Sequence, residues 1–282
     1  MKKRRIAILF HQLARYLDLR TYAITFLADV WREQGHEVLF LFGCREFVPA
    51  DLVIVHVDLT VVPDEYFELA DRYPVALNGN VRDIRKSTFS SLRLDRTDTW
   101  QGQVIVKSNL NAAGVPEKIV RWSRFIHPSV IFAVGRTMAP LHSWKPFEYP
   151  IYDSLADVPR RYFDDDRFIV EKFLPETGGG TYMLRSYLFL GDAESWFRFH
   201  STSKIVKASN EVSREVIPPD SRVQRLRESM GFDYGKFDYV VHNDEPILLD
   251  CNRTVGAGSP PYPEEILEMR RARARGLDRY LS

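Results

Sequence analysis

Apolar positions along this chain keep two rhythms. Through residue 78, short continuous apolar runs alternate with segments of helical spacing. Residues 4–10, RRIAILF, predict a buried strand behind a basic leader. Leu19, Tyr22, Ala23, Phe26, Leu27, Val30 and Trp31 recur at intervals of three and one, which predicts a helix, and Gly35 is placed to end it. Strands over 36–42, 51–56 and 75–78, with a helix after Pro63, extend the alternation and predict a parallel sheet. The first strand-to-helix turn, His11-Gln12-Leu13-Ala14, lacks the G-x-G-x-x-G that dinucleotide binding there would need.

Beyond residue 80 the rhythm changes. Residues 80–102 predict a short helix and a connector. GQVIVK then predicts a strand ending on Lys107, followed by a polar loop and a helix from Pro116 through Phe125. RFIVEKFL, residues 167–174, predicts another strand, and 182–190 with 194–202 predict a hairpin about Gly191-Asp192. Pro219 opens a helix through Met230 with Val223, Leu226 and Met230 on one face, and a final helix is expected over 264–281. Residues 127–153, carrying Pro128, Pro140, Pro146 and Pro150, look loop-like or weakly stranded, and 203–217 is ambiguous.

The organising stretch is Gly231–Asn252, where FDYVV and PILLDCN flank the turn-forming Asn243-Asp244-Glu245-Pro246. A hairpin symmetric about Asp244 pairs Phe237 with Cys251, Tyr239 with Leu249 and Val241 with Ile247 on one apolar face. The opposite face then pairs Lys236 with Asn252 and Asp238 with Asp250. Facing carboxylates repel, and a cation between them relieves the repulsion; oxygen ligands of this kind suit Mg²⁺. A solvated polar face is the competing explanation.

Composition narrows the classes. The chain has 282 residues, 45% of them hydrophobic, enough for one large domain or two to three small ones. Its 39 basic and 38 acidic residues nearly cancel to +1, which argues against a general electrostatic nucleic-acid binder. Cys44 and Cys251 form no disulfide framework or zinc motif, and no apolar run approaches a membrane span, so a soluble cytoplasmic protein is expected.

Three separated pieces occur in order: Lys107 ending a strand, the segment IVEKFLPE, and D-x11-D-x-N from Asp238 to Asn252. Their order and spacing resemble the ATP-grasp superfamily, which includes D-alanine–D-alanine ligase, glutathione synthetase and biotin carboxylase. The resemblance implies a fold of α/β and α+β layers: a Rossmann-like leading domain (1–80), an amino-terminal lobe (81–174) and a carboxy-terminal lobe bearing the hairpin (175–282). It implies that Lys107 contacts ATP phosphates and that Glu171, Lys172, Phe173 and Leu174 form the adenine-binding hinge. Glu176 is expected to contact the ribose. Arg185 and Lys236 are expected near the transferred phosphoryl group or a substrate carboxylate, and Asp238, Asp250 and Asn252 as Mg²⁺ ligands. Lys86 is the candidate second phosphate lysine, although it lies only 21 residues before Lys107. Arg253 is a candidate for holding a substrate carboxylate, with a plain surface arginine as the alternative. The loop after Lys107 has one glycine where the family has several, and Asp250 stands where most members have Glu.

The activity so implied is ATP- and Mg²⁺-dependent ligation. A carboxylate of a small molecule or peptide is activated as an acylphosphate, with release of ADP, for attack by an amine. A small-molecule kinase and an inactive nucleotide-binding protein are the alternatives, and a homodimer is left open. Arg185 has a structural rival, an ion pair with Glu194 or Asp192. Cys251 is expected in the core, and His200 and His242 as structural or exposed. Gly178–Gly180 are expected in a turn, and Arg270, Arg271, Arg273, Arg275 and Arg279 on a solvated face.

Overall fold

The computed structural model describes residues 3–130, 148–207, 209–258 and 261–281. Its first layer is a parallel sheet of β1 (Arg5–Phe10), β2 (Glu37–Phe42), β3 (Leu52–Val55) and β4 (Ala76–Leu77), in the order β2-β1-β3-β4. Strands β1 and β3 are continuously apolar because both sheet faces are covered. Ile6, Ile8 and Phe10 pack with helix α1 (Ala23–Glu33), whereas Ala7 and Leu9 pack with α2 (Asp64–Ala70). Helix α1 gives way to Gly35 at φ +91°, a conformation that glycine adopts without steric cost. From β1 the chain goes outward to β2 and then returns to β3 on the other side, so the direction of sheet growth reverses between β1 and β3.

The second layer is a small antiparallel sheet of β5 (Val104–Ser108), β6 (Ile151–Tyr152) and β7 (Phe168–Lys172), ordered β6-β5-β7. Two short helices flank it in the chain, α3 (Lys86–Phe89) and α4 (Val115–Trp122). The third layer holds β8 (Glu176–Gly178), β9 (Thr181–Leu190), β10 (Ala193–Ser201), β11 (Ser213–Val216), β12 (Tyr234–His242) and β13 (Glu245–Asn252). Its path is β11-β10-β9-β12-β13, with β8 also on β9. Tyr187, Phe189, Trp196, Phe232 and Phe237 pack on one face together with Val223 of α5 (Ser221–Ser229). The molecule is thus a mixed α/β structure with several sheets.

The expected strands and helices are present, with four differences of detail. Asp238 pairs with Asp250 and Phe237 with Cys251 as expected, but Tyr239 pairs with Leu248 and Val240 with Ile247. Leu249 is an extra residue, a β-bulge. Its cause is the turn: Asn243 and Asp244 both take positive φ in a two-residue loop, so the tip register is one residue off that of the carboxylate end. Secondly, the final helix, α6 (Glu264–Ala274), passes into a 3₁₀ turn over Arg275–Tyr280.

Thirdly, Arg271, Arg275 and Arg279 are exposed as expected, but two arginines of α6 point inward. The helix packs on α1, and Trp31 Nε1 donates to the Ala274 carbonyl at 2.9 Å. Arg270 and Arg273 are buried; Arg270 stacks over Tyr262, and Arg273 donates to Ser195 Oγ at 2.9 Å. The helix stays polar because those guanidinium groups find ring and hydrogen-bond partners inside. Fourthly, the ambiguous 203–217 contains β11, and 127–153 contains β6, while Pro140 and Pro146 lie outside the described residues. No helix among the described residues is long and apolar enough to cross a membrane.

Candidate active site

A cleft with about 870 Å³ of free space, its open mouth included, runs between the second and third layers. Ile105, Phe173 and Leu174 line it from one side and Met183, Val240 and Leu249 from the other, giving apolar walls. The bulge turns Leu249 toward this cleft beside Asp250.

Charge enters on named elements. Lys107 is the penultimate residue of β5, which runs to Ser108, one residue past the expected strand end. Its ammonium lies 2.6 Å from Glu171 Oε2; both side chains are largely buried. The antiparallel pairing of β5 with β7 sets Ile105 opposite Glu171, which puts Lys107 and Glu171 on one face, two positions apart. Lys86, on α3, has its ammonium 2.8 Å from Asp250 Oδ1 and is only 4% exposed. Burial pulls the Lys86 pKa down, but the charge and hydrogen bond of Asp250, with Tyr149 and Cys251, outweigh it and the net direction is up. Lys236 stands in the same balance: burial lowers its pKa, and Asp238 at 2.6 Å, with Asp250, raises it further.

The facing carboxylates are therefore neutralised in pairs, Asp250 by Lys86 and Asp238 by Lys236. Ser186 Oγ–H also donates to Asp238. Their opposition across the hairpin does not by itself demand a metal. Among the described residues no three His, Cys, Asp or Glu side chains cluster as a metal cage. Asn252 Oδ1 accepts from the Thr254 amide at 2.8 Å and its hydroxyl at 3.0 Å, and Asn252 does not line the cleft. Two hard carboxylates on the cleft, with the amide committed elsewhere, fit Mg²⁺ held by one or two carboxylates plus phosphate oxygens rather than an all-protein site.

The sequence-predicted residues thus divide. Lys86, Lys107, Lys172, Phe173, Leu174, Asp238 and Asp250 converge on the cleft. In the hinge, the amides of Lys172 and Phe173 are bonded to Leu92 O and Gln103 O, which leaves Leu174 as its amide outside those two bonds. Glu171 is 1% exposed and serves Lys107 with its side chain. Arg185 grips Glu176 through bonds of 2.7–3.0 Å, and Glu176 Oε2 accepts the Val241 amide at 2.8 Å. The partner of Arg185 is therefore neither Glu194 nor Asp192.

Arg253 is not a surface arginine. It is wholly buried and donates to the carbonyls of Val81 and Thr60 at 2.7 and 3.1 Å, tying the third layer to the connector after the first. Its seat is off the cleft, so the structure gives it no path to a substrate carboxylate bound there. Burial draws its pKa down to about 10. Cys251 is a core residue whose thiol burial pushes up. His200 has partners in Thr181 and Glu215, and Gly179 and Gly180 carry positive φ in the β8–β9 turn.

Sequence reasoning missed Lys204 and Lys207, which reach the cleft from the 203–217 segment. Lys204 Nζ lies 3.5 Å from Gln103 Oε1, and Lys207 sits over the Tyr149 ring at 5.7 Å. The signal was the pair of lysines flanking Ile205-Val206. Five lysines then face two carboxylates on the cleft, an excess of positive charge suited to a polyanion.

No protein-family model and no curated relative matches the chain. Solved structures do, along nearly its whole length. One is a RimK-domain ATP-grasp protein from Sphaerobacter thermophilus, 11% identical with a TM-score of 0.49, covering 99% of this chain and 100% of that one. A second is D-alanine–D-alanine ligase from Bacillus anthracis, 10% identical with a TM-score of 0.47 and full coverage of both chains. A third is the macrocyclase MdnC bound with its precursor peptide MdnA, from Microcystis aeruginosa, 11% identical with a TM-score of 0.41, covering 96% and 98%. Each is a protein to which this chain is similar; what the cleft can do is decided by its own side chains.

Proposed function

We propose that this chain is an ATP-dependent, ADP-forming ligase that activates a carboxylate for attack by an amine. The observation that carries the reading is convergence. Lys86, Lys107, Asp238 and Asp250 come from four separate elements, α3, β5, β12 and β13, and meet on one cleft that also carries Lys172, Lys204 and Lys207 beside apolar side chains.

Phosphoryl transfer needs positioning and neutralised charge more than covalent help from the protein. Lys86 and Lys107 are held by Asp250 and Glu171, so their ammonium groups are oriented before a polyphosphate arrives. The Lys172–Leu174 segment and the apolar wall of Ile105, Met183 and Val240 suit a flat, uncharged base. Asp238 and Asp250 would hold Mg²⁺, which when bound supplies charge neutralisation at phosphate oxygens.

The test is product analysis with Mg²⁺·ATP and panels of carboxylates and amines. Formation of ADP, phosphate and an amide supports the ligase. ADP with a phosphorylated hydroxyl makes the chain a kinase, and nucleotide binding without turnover makes it an inactive binder. AMP with pyrophosphate refutes phosphoryl transfer from the terminal phosphate. Asp250→Ala is expected to abolish Mg²⁺-dependent turnover, and undiminished turnover would remove Asp250 from the metal site.

A further inference from the structure

A second cavity opens in the first layer and shares no lining residue with the lysine cleft. It lies at the carboxyl ends of β1 and β3, where sheet growth reverses, with α4 as its other wall. Open α/β sheets bind ligands in this crevice because the strand-end loops diverge there. Leu13, Leu17, Ile119 and Val120 make its walls largely apolar, and no lysine or arginine lines it.

Polar groups around the crevice have hydrogen-bonding capacity left over. His56 lines it, is wholly buried, and neither ring nitrogen has a partner among the described residues. A buried imidazole without partners costs free energy that a ligand can recover. Asp58 accepts from Tyr22 OH at 2.8 Å and Thr254 Oγ1 at 2.9 Å, with no lysine or arginine at ion-pair distance among the described residues. On α4, Glu117 spends Oε1 on the Thr60 amide at 2.7 Å, while Oε2 is buried without a partner among the described residues.

Arg253 acts on both carboxylates, but its hydrogen bonds go to two carbonyls. Burial raises the pKa of Asp58 and Glu117 raises it further, against the bonds from Tyr22 and Thr254 and the charge of Arg253, so a ligand ammonium is the complement that would hold this carboxylate charged.

We infer that this crevice binds an apolar primary amine, with its ammonium against Asp58 and its apolar body between β1 and α4. Resting on the ligase reading above, the amine is the attacking substrate. The Thr254 hydroxyl, within hydrogen-bond distance of both Asp58 and Asn252, places this crevice one side chain away from the carboxylate face of the hairpin. His56 then accepts or donates a hydrogen bond as a neutral ring.

The experiment is calorimetric titration of the full chain, without nucleotide or metal, using 2-phenylethylamine, 2-phenylethanol and 3-phenylpropionate as probes. The amine is expected to bind, and the alcohol and carboxylate to bind at least about tenfold more weakly, the worth of one charge-assisted bond. Asp58→Asn, which keeps the shape and one of the two acceptor contacts while removing the charge, is expected to erase that preference. Ile119→Trp, which fills the crevice from a partly exposed helix position, is expected to abolish binding of the amine while Mg²⁺·ATP binding is unchanged. Equal binding of the carboxylate, undiminished amine binding in both variants, or binding of no probe overturns the inference. Mg²⁺·ATP is titrated in parallel: amine binding without nucleotide binding leaves the crevice standing and sinks the ligase reading, and the reverse sinks the crevice alone.

Discussion

His56 ties stability to pH in a way that the structure sizes. It is wholly buried among the rings of Phe10, Tyr22 and Tyr234, and burial lowers its pKa from 6.5 to about 3, with Arg253 acting in the same direction. The unfolded chain protonates this ring near its ordinary pKa while the folded chain does not. Its contribution to stability is therefore complete above the unfolded value and is lost as pH falls from there toward the folded one.

Going from pH 7 to pH 5 costs about 2 kcal/mol through this one group, at about 1.4 kcal/mol per unit below its unfolded pKa. That corresponds to a fall in Tm of roughly 4–8 °C for a domain of this size. The assay is urea unfolding of the wild type and His56→Phe at both pH values. His56→Phe keeps the ring contacts and removes the titration, so carboxylates and His11 contribute equally to both proteins and cancel. The wild type is expected to lose about 2 kcal/mol more than the variant over this interval. An equal loss in the two proteins refutes the reasoning, and a histidine ring titrating normally in nitrogen-15 spectra refutes it directly.

Three further outcomes test the site and its frame. Lys107→Met is expected to shrink the ATP-induced rise in melting temperature, because a buried strand-end ammonium is removed from the cleft; an unchanged rise argues against its phosphate role. Asp250→Asn strands the buried Lys86 charge and should cost about 3–5 kcal/mol, most of it recovered in the double variant with Lys86→Met; denaturant melts of the four proteins read this out, and simple additivity speaks against the pair. Gly276→Ala places a Cβ against the Leu190 carbonyl oxygen, backbone that cannot swing aside, so a loss of about 2 kcal/mol or more in a urea melt is expected.

The sequence alone determined the elements and their faces. Alternation with period two is a local property, so Asp238 and Asp250 on one hairpin face and Cys251 on the other were legible without knowing any neighbour. The same holds for the β9–β10 hairpin about Gly191 and for the continuous apolar strands of the first layer. Tertiary structure decided which charges meet. A lysine's partner is set by the docking of separate elements, so α3 bringing Lys86 to Asp250 and the β5–β7 pairing of Lys107 with Glu171 leave no local trace. Arg253 and Arg273 look like surface residues in sequence and are interior ties in the fold, because burial depends on what packs above them. The bulge at Leu249 reconciles a two-residue turn with a carboxylate register set by the neighbouring strand, a conflict that exists only once the sheet is assembled. The crevice with His56 likewise needs the strand order β2-β1-β3, which no stretch of sequence encodes by itself.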